Sequence, residues 1–148
     1  MSAAIEVTDE NALAEIVRGA RTVAVVGMAD ESKAGRPAFT IPRILKERGL
    51  RVIPVNPTIE SSLGEKAYPD LASVPTPFDL VDIFQRSEKV GSVADAILAL
   101  PKERRPRVVW LQTGIRNDEA AARLAAQGIQ VVQDHCLGVY VTRYRERG

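Results

Sequence analysis

Three residues in one short stretch have the chemistry to hold a phosphate. Gly27 ends the apolar run Thr22-Val23-Ala24-Val25-Val26, and Lys33 and Arg36 follow it. A glycine lets a ligand approach the backbone closely, and the two cations can pair with phosphate oxygens. Pro37 stands where a helix would begin, so backbone N–H groups and the positive end of a helix dipole aim at the same place. Gly27, Met28, Ala29, Lys33, Arg36 and Pro37 are therefore predicted to form an anion site. The stretch is not a full dinucleotide fingerprint. Gly27-Met28-Ala29 stands where Gly-x-Gly is expected, and no third glycine follows at the usual spacing.

A second junction, Arg51-Val52-Ile53-Pro54-Val55-Asn56-Pro57, refines the ligand. In nicotinamide dinucleotide proteins the corresponding strand ends in Asp or Glu, which holds a ribose 2′-OH. Asn56 donates a hydrogen bond and carries no charge, so an adenosine with a phosphorylated ribose is admissible beside Val55, Asn56 and Pro57. A plain Asn-Pro chain turn is the simpler alternative. Two more junctions are predicted to share the site. In Phe84-Gln85-Arg86, Phe84 can pack on a flat ligand and Arg86 can reach a phosphate. Thr113 and Gly114 lie in the glycine-containing stretch Gln112-Thr113-Gly114-Ile115. Trp110 reads as core.

His135-Cys136 invites a nucleophile with its base, but adjacent residues of an extended segment point to opposite faces. A structural role is the expectation. A mixed disulfide between Cys136 and a ligand thiol under oxidation is a further possibility. Asp134 and His135 with Asp82 or Asp30 make no recognisable metal spacing. No catalytic residue and no metal ligand is assigned.

These junctions need elements to position them. Thr8-Asp9-Glu10-Asn11 opens a helix that Gly19 can end, and strands are predicted at Thr22–Val26, Arg51–Val55, 79–84, 108–112 and 129–133. A helix from Pro37 to about Gly49 carries Phe39, Ile41, Ile44 and Leu45, with Pro42 tolerated early or kinking it. Ser87 caps a helix bearing Val90, Val93, Ala94, Ile97 and Leu98. Asn117 opens an Ala-rich helix to Gln127. Between Pro57 and Pro77 the chain reads as turns with one helical turn at 70–74, and 102–107 reads as a basic linker. The tail after Val141 is short and basic. Strands that are apolar throughout suit a parallel sheet covered on both faces. The expectation is an α/β, doubly wound, Rossmann-like five-stranded sheet in the order 3-2-1-4-5, with residues 1–148 as one domain.

Bulk properties exclude several classes. A chain of 148 residues buries enough surface to need no staple, and one cysteine permits no internal disulfide. A net charge of +1 with 5% aromatic residues leaves little for nucleic acid. No signal-peptide pattern or membrane-length apolar run is present, so a cytoplasmic protein with no membrane association is the expectation.

Read together, Val25-Val26-Gly27, Arg36-Pro37, Val52-Ile53-Pro54-Val55-Asn56-Pro57, Val81-Asp82-Ile83-Phe84, Val109-Trp110-Leu111-Gln112-Thr113-Gly114-Ile115 and Val132-Gln133-Asp134-His135-Cys136-Leu137 bring a family into view. The chain resembles the small bacterial and archaeal CoA-binding proteins, which are similar to the CoA-binding domain of the succinyl-CoA synthetase α subunit. The resemblance implies coenzyme A, or an acyl-CoA, across the strand ends. Its phosphates would lie around 27–36, its adenosine near Val55-Asn56-Pro57, and its pantetheine arm toward the third and fourth strand ends. A phosphorylated ribose accounts for the missing acid. The chain departs from a basic pattern after Pro57, where Thr58, Ile59 and Glu60 stand, which leaves Lys33 or Lys66 for the 3′-phosphate. The reading is a module that senses, buffers or delivers CoA or an acyl-CoA without demonstrated catalysis, or docks onto a partner enzyme; a homodimer is a further expectation because small cytosolic domains commonly form one. The alternatives are an NAD(P)-binding oxidoreductase or redox sensor, and a scaffold with a vestigial site.

Overall fold

The computed structural model describes residues 6–146. Five parallel strands form the main sheet: β1 (Thr22–Val26), β2 (Arg51–Val55), β5 (Leu80–Ile83), β6 (Val108–Leu111) and β7 (Gln130–Val132). A small antiparallel hairpin, β3 (Ser61–Ser62) and β4 (Glu65–Lys66), stands apart. The helices are α1 (Glu10–Gly19), α2 (Pro37–Glu47), α3 (Val90–Leu98), α4 (Asp118–Ala126) and α5 (Leu137–Tyr144). No helix among them is long and apolar enough to cross a membrane.

Alternation along the strands sorts the core into two layers. Ala24, Val26, Ile53, Val81, Ile83, Val109 and Leu111 pack with Val90, Ala94 and Ile97 of α3 and Leu124 of α4. Val23, Val25, Val52, Leu80 and Trp110 pack with Leu13 and Val17 of α1, Leu45 of α2, and Leu137 and Val141 of α5. The α/β, doubly wound expectation is met. Asp82 breaks the apolar pattern. It pairs in register with Val25 and Trp110, is fully buried, and neither carboxylate oxygen has a hydrogen-bond partner among the described residues. Burial pushes its carboxyl well above the usual range.

The strand order corrects the expected 3-2-1-4-5. The sheet runs β2-β1-β5-β6-β7, so the third main strand lies beside β1 and not outside β2. The cause is at the outer edge of β2. Tyr68 forms a parallel bridge to Val55; its N–H donates to the Pro54 carbonyl at 3.0 Å, and its carbonyl accepts from the Asn56 N–H at 2.8 Å. Pro54 has no N–H to offer a further strand, which suits an edge position. The switch point therefore lies between β1 and β5.

Two elements go beyond the sequence expectation. The hairpin turns through Leu63 (φ 52°) and Gly64 (φ 78°), both in the left-handed region that a two-residue hairpin loop demands. Leu63 is held there by its N–H donating to Glu31 Oε2 (2.9 Å) and by Lys46 Nζ donating to its carbonyl (2.7 Å). Helix α5 (Leu137–Tyr144) starts in a stretch to which the sequence reading assigns no element and runs into what reads as the short tail after Val141. Its sequence is rich in β-branched and aromatic residues, so packing of Leu137, Gly138 and Val141 against the rest of the molecule holds it.

Candidate ligand site at the carboxyl edge of the sheet

At the end of β1, Gly27 turns with φ +83° and donates its N–H to the Val55 carbonyl at 2.9 Å. A Cβ there would stand 2.6 Å from the Phe84 carbonyl oxygen and 3.1 Å from Gln85 Nε2. Only glycine lets the ends of β1, β2 and β5 converge at this point. The next residue, Met28, turns inward and is fully buried in the core.

The loop that follows is held from three sides. The Met28 carbonyl accepts from Asn56 Nδ2 (2.9 Å), and the Ala29 carbonyl accepts from Ser62 Oγ of β3 (2.8 Å). Ala29 N–H donates to the Ala38 carbonyl at 3.0 Å. That carbonyl is available because Pro42, four residues on, has no N–H to donate to it. Pro42 thus frees an acceptor that anchors the loop to α2. Asp30 then accepts from Ser32 N–H and the Ser32 hydroxyl. These bonds, the hydroxyl first, hold the Asp30 carboxyl below its ordinary value, so it is ionised at neutral pH.

Helix α2 begins without a capping side chain. Arg36 occupies the cap position and makes no side-chain cap bond, and Pro37 has no N–H. Phe39 and Thr40 both donate to the Arg36 carbonyl, and Ala38 N–H has no acceptor among the described hydrogen bonds. A helix start with an open donor and a positive dipole end is a natural place for an anion.

Asn56 has a different part from the one its type suggests. Its Oδ1 accepts from both Thr58 N–H (2.9 Å) and Thr58 Oγ1 (2.7 Å), while its Nδ2 holds Met28. Both acceptor lone pairs and one of two donors are used within the protein, leaving one N–H for a ligand. Asn56 is first a brace between the loops that follow β1 and β2.

Two clefts lie along this edge and meet at Arg36 and Ala38, which line both. The first, about 330 Å³, is lined among others by Gly27, Asp30, Lys33, Asn56 and Thr58. The second, about 540 Å³, is lined among others by Pro37, Phe84, Arg86, Thr113 and Ile115. The second is pinned from the loop after β7: Asp134, at φ 56°, accepts from Gly114 N–H at 2.6 Å. Gln112 and Gln133 are buried braces beneath it, accepting from the N–H groups of Leu137 and Asn117.

The structure brings most of the predicted residues together. Gly27, Ala29, Lys33, Arg36, Pro37, Asn56, Phe84, Gln85, Arg86, Thr113 and Gly114 all line one cleft or both. Met28 and Val55 are buried and contribute through their carbonyls, and Pro57 lines neither cleft. Lys66 also lines neither; its Nζ lies 5.5 Å from the Tyr68 ring centroid. Asp30, Ser32 and Thr58 belong to the first cleft and were not expected there. The Asp-x-Ser and Asn-x-Thr spacings, which favour side-chain-to-backbone turns, are the signal that could have found them.

His135 is engaged structurally. Its ring Nδ1 meets the Gln133 carbonyl, and its own carbonyl accepts from Trp110 Nε1 at 2.8 Å. Cys136 is half-buried at the start of α5 and lines neither cleft. Among the described residues no group of three or more His, Cys, Asp and Glu side chains stands together for a metal.

Residues 21–142 match the model of a CoA binding domain. The protein YneT of Bacillus subtilis (strain 168) is 36% identical over 125 residues, covering 84% of this chain and 88% of that protein. The structure of cell-free ID.343 from Thermus thermophilus superposes with a TM-score of 0.83 at 34% identity, over 93% of this chain and 99% of that one. A dinucleotide forming acetyl-coenzyme A synthetase 1 from Ca. Korarchaeum cryptofilum, solved with phosphate and ADP, matches 74% of this chain. That match spans 25% of the synthetase chain, at 25% identity and a TM-score of 0.58.

Proposed function

The chain belongs to the CoA-binding domain family, and from that premise we propose that it binds coenzyme A or an acyl-CoA across the carboxyl edge of its sheet. The observation that carries the reading is the junction of the two clefts at the start of α2. There an uncapped helix end and Arg36 meet, and Lys33 lines the first cleft that opens from this point. The pyrophosphate lies at this junction, against Ala38 N–H and Arg36. The adenosine and its ribose phosphate take the first cleft, with Lys33 as the cation for the phosphate. Asp30, ionised in that cleft, faces the uncharged part of the nucleotide. The pantetheine arm follows the second cleft past Phe84 and Pro37 toward Thr113 and Ile115.

The reading is of a cytoplasmic binding module that holds or delivers the coenzyme and does not transform it. Of the carboxylates lining the clefts, Asp30 is already ionised and bonded to Ser32, and Glu88 is paired with Arg86 on the open rim.

A thermal-shift panel of CoA, acetyl-CoA, dephospho-CoA, NAD, NADP and ATP tests the proposal. A ligand that binds only the native state raises its stability by mass action. CoA should give the largest shift, with dephospho-CoA weaker because Lys33 loses its phosphate. A shift with NAD and none with CoA overturns the proposal.

A further inference from the structure

We propose that the opposite, amino edge of the sheet docks a carboxylate-rich segment of a partner protein. This edge holds a cleft of about 470 Å³ between the turn that leads into β6 and the end of α4. Three cations, Lys102, Arg105 and Arg107, line it, and no Asp or Glu does. Arg107 and Gln130 also line the neighbouring cleft that holds Glu15 and Asp79, but the Asp79 carboxylate accepts from the Arg21 and Thr22 N–H groups, and none of the three cations is ion-paired among the described residues. Arg43, Arg51, Arg86, Arg116, Arg123 and Arg143 each face a carboxylate within 4.0 Å, whereas no described ion pair involves 102–107.

Helix ends explain part of this cluster, but not all of it. Cations near helix C-termini offset the dipole. Arg105 serves in that way, its Nη2 donating to the Leu98 carbonyl (2.7 Å) and its Nε to the Leu100 carbonyl (3.2 Å). Arg104 donates to the Val74 carbonyl at 2.8 Å. These bonds fix the Arg105 guanidinium yet leave its charge and remaining donors for another group. Lys102 and Arg107 are exposed and have no side-chain hydrogen bond or ion pair among the described residues. No hydrogen bond or ion pair within 4.0 Å among the described residues holds either side chain in place.

The character of the cleft selects its occupant. A volume of this size suits several side chains better than one small anion. No aromatic residue lines it for base stacking, and a net charge of +1 supplies no wider field for a nucleic acid. Gln127 and Gln130 add amide groups that suit a peptide backbone. Carboxylates reaching Arg105, Lys102 and Arg107 complete the charge pairing. This surface shares no residue with the CoA clefts and does not depend on their ligand.

The test uses the full chain and an octaglutamate peptide followed by heteronuclear NMR. Amide shifts should concentrate at 102–107 and 127–130, and binding should weaken as salt rises. Lys102→Glu with Arg107→Gln, which removes no described contact, should weaken binding by about tenfold or more. Arg36→Ala should leave it unchanged. Absence of peptide binding overturns the proposal, as does binding that maps elsewhere or that survives the double substitution. Tighter binding of inorganic phosphate or of an oligothymidylate than of the peptide also overturns it. Because the shift map is read on the unaltered protein, misfolding of the double variant leaves the test decisive.

Discussion

Replacing Gly27 by alanine separates two penalties that usually arrive together. The residue sits at φ +83°, and the new Cβ would lie 2.6 Å from the Phe84 carbonyl oxygen. Gly114 is the internal control: its φ is +82°, but a Cβ there meets nothing within 4 Å. Both substitutions incur left-handed backbone strain of about 1–2 kcal/mol. Only Gly27→Ala adds a backbone clash that neighbouring strands must absorb, worth about 1–3 kcal/mol as overpacking. The expected loss is therefore about 2–5 kcal/mol for Gly27→Ala and about 1–2 kcal/mol for Gly114→Ala. Urea unfolding of the three proteins gives both numbers. CoA titration by calorimetry should show a large loss for Gly27→Ala, because relief of the clash moves the ends of β1 and β5 apart. Equal destabilisation by the two substitutions would refute the reasoning, since it would mean that strand convergence at Gly27 is not tight.

Three other outcomes follow from the same geometry. Arg36→Ala should weaken CoA binding by about 1–3 kcal/mol, or about 5- to 150-fold, with little effect on stability; calorimetry reads the first and urea unfolding the second. Asn56→Asp replaces the donor to the Met28 carbonyl by an acceptor, so it should destabilise the fold by about 1–3 kcal/mol even without ligand, measurable by urea unfolding. Asp82→Leu keeps the side-chain shape and removes an unpaired carboxyl. Because the folded-state pKa is raised, the native chain keeps a proton that the unfolded chain loses above the ordinary carboxylate range. Wild-type stability thus falls as pH rises through that window. The advantage of Asp82→Leu should grow by up to about 1.4 kcal/mol per pH unit, and a constant difference between pH 5 and pH 7 would contradict this.

Much of the scaffold is legible in the chain because periodicity reports burial directly. Thr22–Val26 and Arg51–Val55 coincide with their expected bounds. Caps at Asp9, Asp70 and Asn117 lie where side-chain chemistry requires them, whereas Ser87, read as a cap, caps no helix and accepts from the Arg116 N–H instead. What escapes is what depends on neighbours. The strand order turned on one edge of β2, and Pro54 was the residue that could have revealed it. A missing N–H in an otherwise apolar strand argues against a central position. The hairpin escaped because Leu63 carries none of the usual preference for positive φ. Its conformation is imposed by Glu31 and Lys46, distant in sequence. Helix α5 escaped because its propensity is weak and its packing supplies the stability.

The missing acid at the end of β2 illustrates how one residue can satisfy two demands. Read alone, Asn56 argues for a ligand whose ribose carries a phosphate. The fold supplies a second, independent reason for it: the amide accepts from Thr58 and donates to Met28 at once, which an ionised carboxylate, an acceptor only, cannot do. An aspartate would break the brace whatever the ligand. The absence of the acid is thus compatible with CoA but does not by itself select it. The discriminating weight falls on Lys33 and Arg36, which line the clefts and have no described ion pair. It falls also on the uncapped start of α2. If Asn56 is chiefly a brace, Asn56→Asp should lower stability and CoA affinity together. Lys33→Ala should lower affinity for CoA but not for dephospho-CoA, at unchanged stability. A Lys33→Ala protein that loses affinity for both ligands equally would move the ribose phosphate out of the first cleft.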